Sequence, residues 1–227
     1  MLLRRATACS RFRILLMLPI AVTLCSCAES RMFDQAVGDR SINGFREYLT
    51  EYPDGAYVKD AYEYIEEIYF RQSQQKETAE EMNDYLREYP RGRFTKQARA
   101  LRKRFAYQAA VETDTLPAYR KFLREEPDGP LARDARARIE ELTYRRAAKE
   151  NTVLGFEEYL RQFPAGQFSV EAGAAIVRLA YLSAAGKDTI EGYEGFLGEH
   201  AESRYSLVVN ERLAFLRAKQ HREQERD

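Results

Sequence analysis

The stretch Tyr48-Leu49-Thr50-Glu51-Tyr52-Pro53-Asp54-Gly55 decides the fold of this chain. It returns as Tyr85-Leu86 with Tyr89-Pro90 and Gly92, then as Phe122-Leu123 with Pro127 and Gly129. A further copy is Tyr159-Leu160 with Phe163-Pro164 and Gly166. The prolines stand at 53, 90, 127 and 164, a constant step of 37 residues. One more step lands on Ala201, where Phe196-Leu197 keeps the register while Pro and Gly have become Ala201 and Ser203. A fixed period of a few tens of residues is the signature of a repeat array.

Working outward from the proline, each copy reads as two helices. The shorter one starts at Ser41, Thr78, Thr115, Thr152 or Thr189, a hydroxyl suited to accept a bond from a free backbone N–H at a helix start. Apolar residues follow at helical spacing, as in Ile42, Phe45, Tyr48, Leu49 and Tyr52, or Val153, Phe156, Tyr159, Leu160 and Phe163. The residue before proline disfavours the helical region and ends the helix. The longer helix follows the glycine. Four places after the proline comes Tyr57, Phe94, Leu131, Phe168 or Tyr205, and four further on Ala61, Ala98, Ala135, Ala172 or Val209. Ile65, Ile139, Ile176 and Leu213 continue that face, with Ile68, Phe105, Leu142, Leu179 and Leu216 one turn on. Arg102 interrupts the series in the second copy. The leucines of the shorter helices, Leu160 among them, are expected to be buried between copies. Neither helix can bury its face alone, so neighbours must stack. The expectation is an all-α, right-handed solenoid of stacked helical hairpins: eleven helices, five copies, no strand. Residues 29–39, with Met32, Phe33 and Ala36, supply one short helix at the start, and Arg217 to Asp227 a polar helix end.

The N-terminus reads as an address. Arg4, Arg5, Arg11 and Arg13 precede an apolar run from Ile14 to Leu24, too short to span a bilayer, and then Leu24-Cys25-Ser26-Cys27. This looks like a bacterial lipobox, with residues 1–26 a signal peptide that is removed and Cys27 the lipid-attachment residue. An ordinary secretory signal cleaved nearby is the alternative. All three cysteines, Cys9, Cys25 and Cys27, lie in this segment, so residues 28–227 hold no disulfide and no thiolate metal site. Without residues 1–26 the chain carries 32 basic against 36 acidic side chains, a net charge of about −4. That speaks against a general nucleic-acid binder. Residues 27–227 read as a single helical-repeat domain.

The copies resemble tetratricopeptide repeats. Phe45-x-x-Tyr48-Leu49-x-x-x-Pro53 and its copies match the second helix of such a repeat, and Ala61 with Ile65 the first helix of the next. The resemblance covers roughly residues 32–220. It departs from the family in its period of 37, in the Ser or Thr near the second helix start, and in lacking the usual glycine of the first helix. Tyr-Pro-x-Gly-x-aromatic with Ala four places later looks most like envelope lipoproteins. The nearest in style are the tetratricopeptide-like lipoproteins of the outer-membrane barrel-assembly machine. Resemblance to Gram-negative lipoproteins also makes Ala28, a non-Asp residue after the cysteine, point to the outer membrane. The implied protein is a periplasm-facing, lipid-anchored scaffold that binds envelope proteins, in barrel, secretin or pilus assembly. A binder of a non-protein polymer such as peptidoglycan is the alternative.

No chemistry stands out. His200 takes the place of Tyr52, Tyr89 and Phe163, His221 lies in the polar tail, and the glycines follow the turns and form no phosphate loop. The pairs Glu66-Glu67 and Glu140-Glu141 read as solvated carboxylates. No catalytic residue, cofactor or metal is expected. Two surfaces are candidates for binding. Between Arg93 and Gln108 there are six basic residues and no acid, so Arg99, Arg102, Lys103 and Arg104 form a basic patch, or attract the acidic helix before them. On the long helices, positions 7, 10, 14 and 17 after the proline share the side away from the core. Position 17 reads Phe70, Tyr107, Tyr144 and Tyr181, and position 14 reads Glu67, Arg104, Glu141 and Arg178. Phe70, Tyr107, Tyr144 and Tyr181 with Glu67, Arg104 and Arg178 are the expected groove for a protein partner. The alternative is that each ring packs on the next copy. The resemblance places this face on the concave side of a tetratricopeptide array.

Overall fold

The computed structural model describes residues 18–226. The segment with Arg4, Arg5, Arg11 and Arg13 lies outside the described residues. Eleven helices follow one another among the described residues, and no strand. After α1 (Leu18–Asp39), short and long helices alternate. The short ones are α2 (Ile42–Glu51), α4 (Ala79–Glu88), α6 (Leu116–Glu125), α8 (Val153–Gln162) and α10 (Ile190–His200). The long ones are α3 (Val58–Gln75), α5 (Thr95–Thr113), α7 (Pro130–Glu150), α9 (Ser169–Lys187) and α11 (Ser206–Gln224). The opening helix is longer than the sequence led us to expect, because residues 18–28 continue it upstream of Glu29 without a break.

The chain divides into two compact units, Met1–Phe105 and Ala106–Asp227, and the division falls inside α5. In the first unit α1 packs on α2, α2 on α3 and α3 on α4; in the second, each helix from α6 to α11 packs on the next.

The helix boundaries have local causes. Ser41, Thr78, Thr115, Thr152 and Thr189 each accept a bond from the backbone N–H three residues on, at 3.1–3.4 Å. Just ahead of each stands a residue at positive φ: Arg40, Glu77, Asp114, Asn151 and Asp188, between 46° and 53°. Tyr52, Tyr89, Glu126 and Phe163 precede the prolines with φ between −122° and −133°, where the ring clash excludes the helical region. With Ala201 in place of proline, α10 runs on to His200 and Ala201 itself is helical, at φ −56° and ψ −32°.

The short helices bury Phe45 and Tyr48, Met82 and Tyr85, Tyr119 and Phe122, Phe156 and Tyr159, Tyr193 and Phe196. Against them lie small residues of the long helices, Ala61, Ala98, Ala135 and Ala172, all completely buried, which allow the close approach. Leu49, Leu86, Leu123, Leu160 and Leu197 are only half-buried; the ring one place earlier takes the interior in each case.

Two polar arrangements lock the joints. In the first, the Tyr48, Tyr85 and Tyr159 hydroxyls donate to Glu29, Glu66 and Glu140 at 2.7, 2.6 and 2.9 Å. Each hydroxyl also accepts the N–H of Tyr57, Phe94 or Phe168. A side chain at Gly55, Gly92 or Gly166 would run into that carboxylate and hydroxyl. Glu66 is therefore buried in service of the fold, and the expectation of a solvated carboxylate pair is corrected there. In the second arrangement Phe122 and Phe196 replace the tyrosine, and Lys103 and Val177 stand where the glutamate would be. The hydroxyl has moved three residues back: Tyr119 donates to Asp114 at 3.2 Å and Tyr193 to Asp188 at 3.0 Å. Arg138 and Arg212 close on the same aspartates through two bonds each, at 2.5–2.9 Å. The glycine is kept in the first of these for another reason: Gly129 has open space around it but φ at +104°.

Candidate functional site

Each unit has a cleft on the face of a long helix that carries positions 7, 10 and 14. In the first unit Asp60, Glu63 and Glu67 of α3 project into a cavity of about 350 Å³ walled by Phe33, Tyr57 and Tyr64. The walls are fixed by ring contacts. Phe33 stacks on Tyr57 with centroids 4.6 Å apart, and Tyr64 on Phe45 at 5.1 Å. Arg93 reaches in from the turn before α5, with Nη1 2.7 Å from Glu63 Oε2 and Nη2 3.6 Å from Glu67 Oε2. Glu67 is also held by Arg71 at 2.6 Å.

In the second unit Asp134, Ala137 and Glu141 of α7 occupy the same register. They line a cavity of about 520 Å³ with Tyr107, Tyr119, Asp114 and Arg138. Arg138 ties Asp114 to Glu141 Oε2, the latter at 2.5 Å, and these partners hold its guanidinium proton more firmly than usual. Arg138 in turn keeps the Asp114 carboxyl below its ordinary range. The equivalent pair lowers Asp188 to about 2, first through the bond from Arg212. Burial, and then Asp134, pushes the Tyr107 hydroxyl up.

Both clefts thus combine three carboxylates, one arginine and aromatic walls. Carboxylates beside rings that keep some exposure, here Tyr57, Tyr64 and Tyr107, favour a cationic side chain, through charge and through the ring quadrupole.

The expected groove residues fall differently. Phe70 is buried, 4.7 Å from the Phe94 ring and 5.1 Å from Tyr85, so it offers no surface to a partner. Tyr144 stacks on Phe168 at 4.5 Å and Tyr181 on Tyr205 at 4.4 Å. Tyr107 meets Phe122 edge-on at 5.4 Å. These half-buried rings pack on the copy that follows, and Tyr107 also walls the cleft of the second unit. For Phe70 this corrects the groove reading, since burial leaves it no surface for a partner; Tyr107, Tyr144 and Tyr181 pack on the next copy while keeping part of their surface. Glu67 does line a cleft. Arg178 instead bonds Asn151 Oδ1 at 2.9 Å, and Arg104 lies exposed over the Phe105 ring at 5.2 Å.

Of the basic patch, Arg99 and Lys103 are exposed and Arg102 half-buried on α5. Arg93, in the turn ahead of the patch, pairs with Glu63 and Glu67 of the acidic α3. His200 is half-buried against Phe196 at 5.3 Å. Cys27 is an exposed free thiol. Among the described residues no helix is long and apolar enough to cross a membrane, and no group of His, Cys, Asp or Glu is placed to hold a metal ion.

The reading of the sequence missed Phe33, Tyr57 and Tyr64 as cleft walls. A signal was present for the first: Phe33 stands 37 residues before Phe70, so the ring series begins one copy earlier. Neither the protein-family models nor the curated proteins compared with this chain give a match.

Proposed function

We propose that this chain is a lipid-anchored scaffold of the bacterial outer membrane, facing the periplasm, which holds another envelope protein during assembly of a complex. In this reading the hairpins stack with a 37-residue period into a right-handed, tetratricopeptide-like solenoid, nearest in style to the barrel-assembly lipoproteins. Cys27 carries the acyl chains, and the clefts on the long helices receive basic side chains of the partner. It acts by binding and performs no reaction. The observation that carries this reading is the recurrence of one cleft design on register-equivalent faces of α3 and α7, carboxylates with aromatic walls. Mixed aromatic and charged pockets anchor partners at interfaces.

The test is affinity capture from solubilised envelopes with the intact lipoprotein, beside an Asp60→Asn, Glu63→Gln variant. A stoichiometric protein held by the native chain and lost by the variant supports the scaffold. Retention on purified cell wall with no protein partner favours the polymer-binding alternative. Equal capture by both forms removes the α3 cleft from the interface.

A further inference from the structure

We infer that the anchor has no tether, and that the turn Pro53–Ala56 of the first unit rests against the membrane surface beside the acylated Cys27. This rests on the lipid attachment proposed above and goes beyond it to name the face that meets the lipid.

Glu29 lies two residues after Cys27, and it is already part of the fold. Its Oε1 accepts the Tyr48 hydroxyl at 2.7 Å and the backbone N–H of Ala56 at 2.6 Å. Glu66 and Glu140 take the same tyrosine bond one and three copies on, deep within the array of copies. Cys27 and Glu29 belong to one continuous helix, so they are separated by about 3 Å along its axis. Four residues further on, Phe33 is buried in the first core cluster and stacked on Tyr57. A lipid on Cys27 is thus fixed to a helix that is itself pinned by a carboxylate, a ring and the turn it bonds.

The bond to Ala56 sets which part of the unit is level with the anchor. Ala56 ends the turn that leads into α3, and Asp54 at its tip is exposed. Acyl chains need to reach the hydrocarbon, and a cysteine with no slack brings its neighbours to the headgroups. The opposite end of α1 at Asp39 lies twelve residues, about 18 Å, from Cys27 along the helix. It points away from the lipid.

The chain supplies a clean probe. Its only cysteines are Cys9, Cys25 and Cys27, so once the signal is removed and Cys27 acylated, an introduced thiol is the sole one. Asp54→Cys and Asp39→Cys would each be labelled with a fluorescent dye. The lipoproteins are then placed in phosphatidylethanolamine–phosphatidylglycerol vesicles carrying nitroxide on some headgroups. Quenching at residue 54 should exceed that at residue 39 by about twofold or more, given the separation. A Gly–Ser insert of about twelve residues after Ala28, with a reach of roughly 20 Å, should abolish the difference while the protein still floats with the vesicles. Equal quenching at 54 and 39 in protein that is acylated and floats overturns the tetherless anchor alone. Protein that carries no acyl chain by mass spectrometry overturns the lipid attachment, and this inference with it.

Discussion

The Tyr85 hydroxyl donates to Glu66 at 2.6 Å and accepts the Phe94 N–H at 3.2 Å, with both side chains buried. A buried carboxylate that loses its donor keeps its desolvation cost, so removing either partner alone is worse than removing both. The third and fifth copies already show the alternative, with Phe122 and Phe196 opposite Lys103 and Val177. Tyr85→Phe should cost about 2 kcal/mol, as for other bonds to charged groups. Tyr85→Phe with Glu66→Val should cost less than the two single changes together, by about 1 kcal/mol or more. Urea unfolding of the four proteins measures this, and strict additivity would mean the bond contributes nothing. The same chemistry predicts a pH effect at Tyr48. Burial first, and then the bond to Glu29, raises its hydroxyl to about 12 from an ordinary value of 10.0. The folded chain therefore holds the phenol proton more tightly than the unfolded chain does. The stabilisation is complete below pH 10 and disappears as the pH rises through 12. Unfolding free energies between pH 8 and about 12 should fall more steeply for the native chain than for Tyr48→Phe, whose slope lacks this contribution.

At the scale of the element, the joints from long to short helix all pass through a left-handed residue that is not glycine. That conformation costs an ordinary side chain about 1–2 kcal/mol, whereas glycine gives up only its extra freedom in the unfolded chain. Glu77 is exposed, and its hydrogen bonding at the joint is the backbone N–H to Gln74 O at 3.2 Å, so Glu77→Gly should stabilise by about 0.5–1 kcal/mol. Asp114 has the same backbone but also receives Tyr119 and Arg138, so Asp114→Gly should destabilise. Thermal unfolding of the two variants should move in opposite directions; shifts of the same sign would separate the joint from its side-chain bonds. These joints mark where the sequence stopped being legible. The N-caps, the proline stops and the alternation of helix lengths could all be read, because each depends on residues a few places apart. The left-handed residues could not, since Arg, Glu, Asp and Asn share no side-chain property that demands the conformation. The glutamate–tyrosine bond spans 19 residues, and Glu66 looked like any other acid on a polar helix until its partner was placed. The faces of the clefts were legible as positions 7, 10 and 14, whereas their walls were not. The rings of position 17 turned instead into the next copy, where Phe70, Tyr144 and Tyr181 each stack on a second ring and Tyr107, with Leu131 in place of that ring, meets Phe122 edge-on.

At the scale of the whole molecule the same kinds of joint recur in both units, and the ends of a repeat array need special treatment. At the C-terminal end the polar part of α11 is tied back to α10, with Arg217 bonded to Glu194 at 2.6 Å. At the N-terminal end the fold takes up the chain at Glu29 of α1 and makes no use of the exposed thiol of Cys27. If Cys27 carries the lipid proposed above, anchor and fold should separate cleanly by mutation. Burial of acyl chains contributes about 0.8 kcal/mol per CH₂, and two or more chains hold a protein on a bilayer where one does so only marginally. Cys27→Ser should thus remove the acyl chains and release the protein from the membrane fraction, with its helical circular dichroism and melting temperature unchanged. Glu29→Ala should do the converse, because it removes the acceptor of Tyr48 and Ala56 while leaving the cysteine in place. Its product should remain acylated and membrane-bound but melt at a lower temperature. The measurements are mass spectrometry of the N-terminal peptide, fractionation in high salt, and thermal melting of each variant. A Cys27→Ser protein that still sediments with the membrane in high salt would show that something other than the lipid holds this array at the envelope.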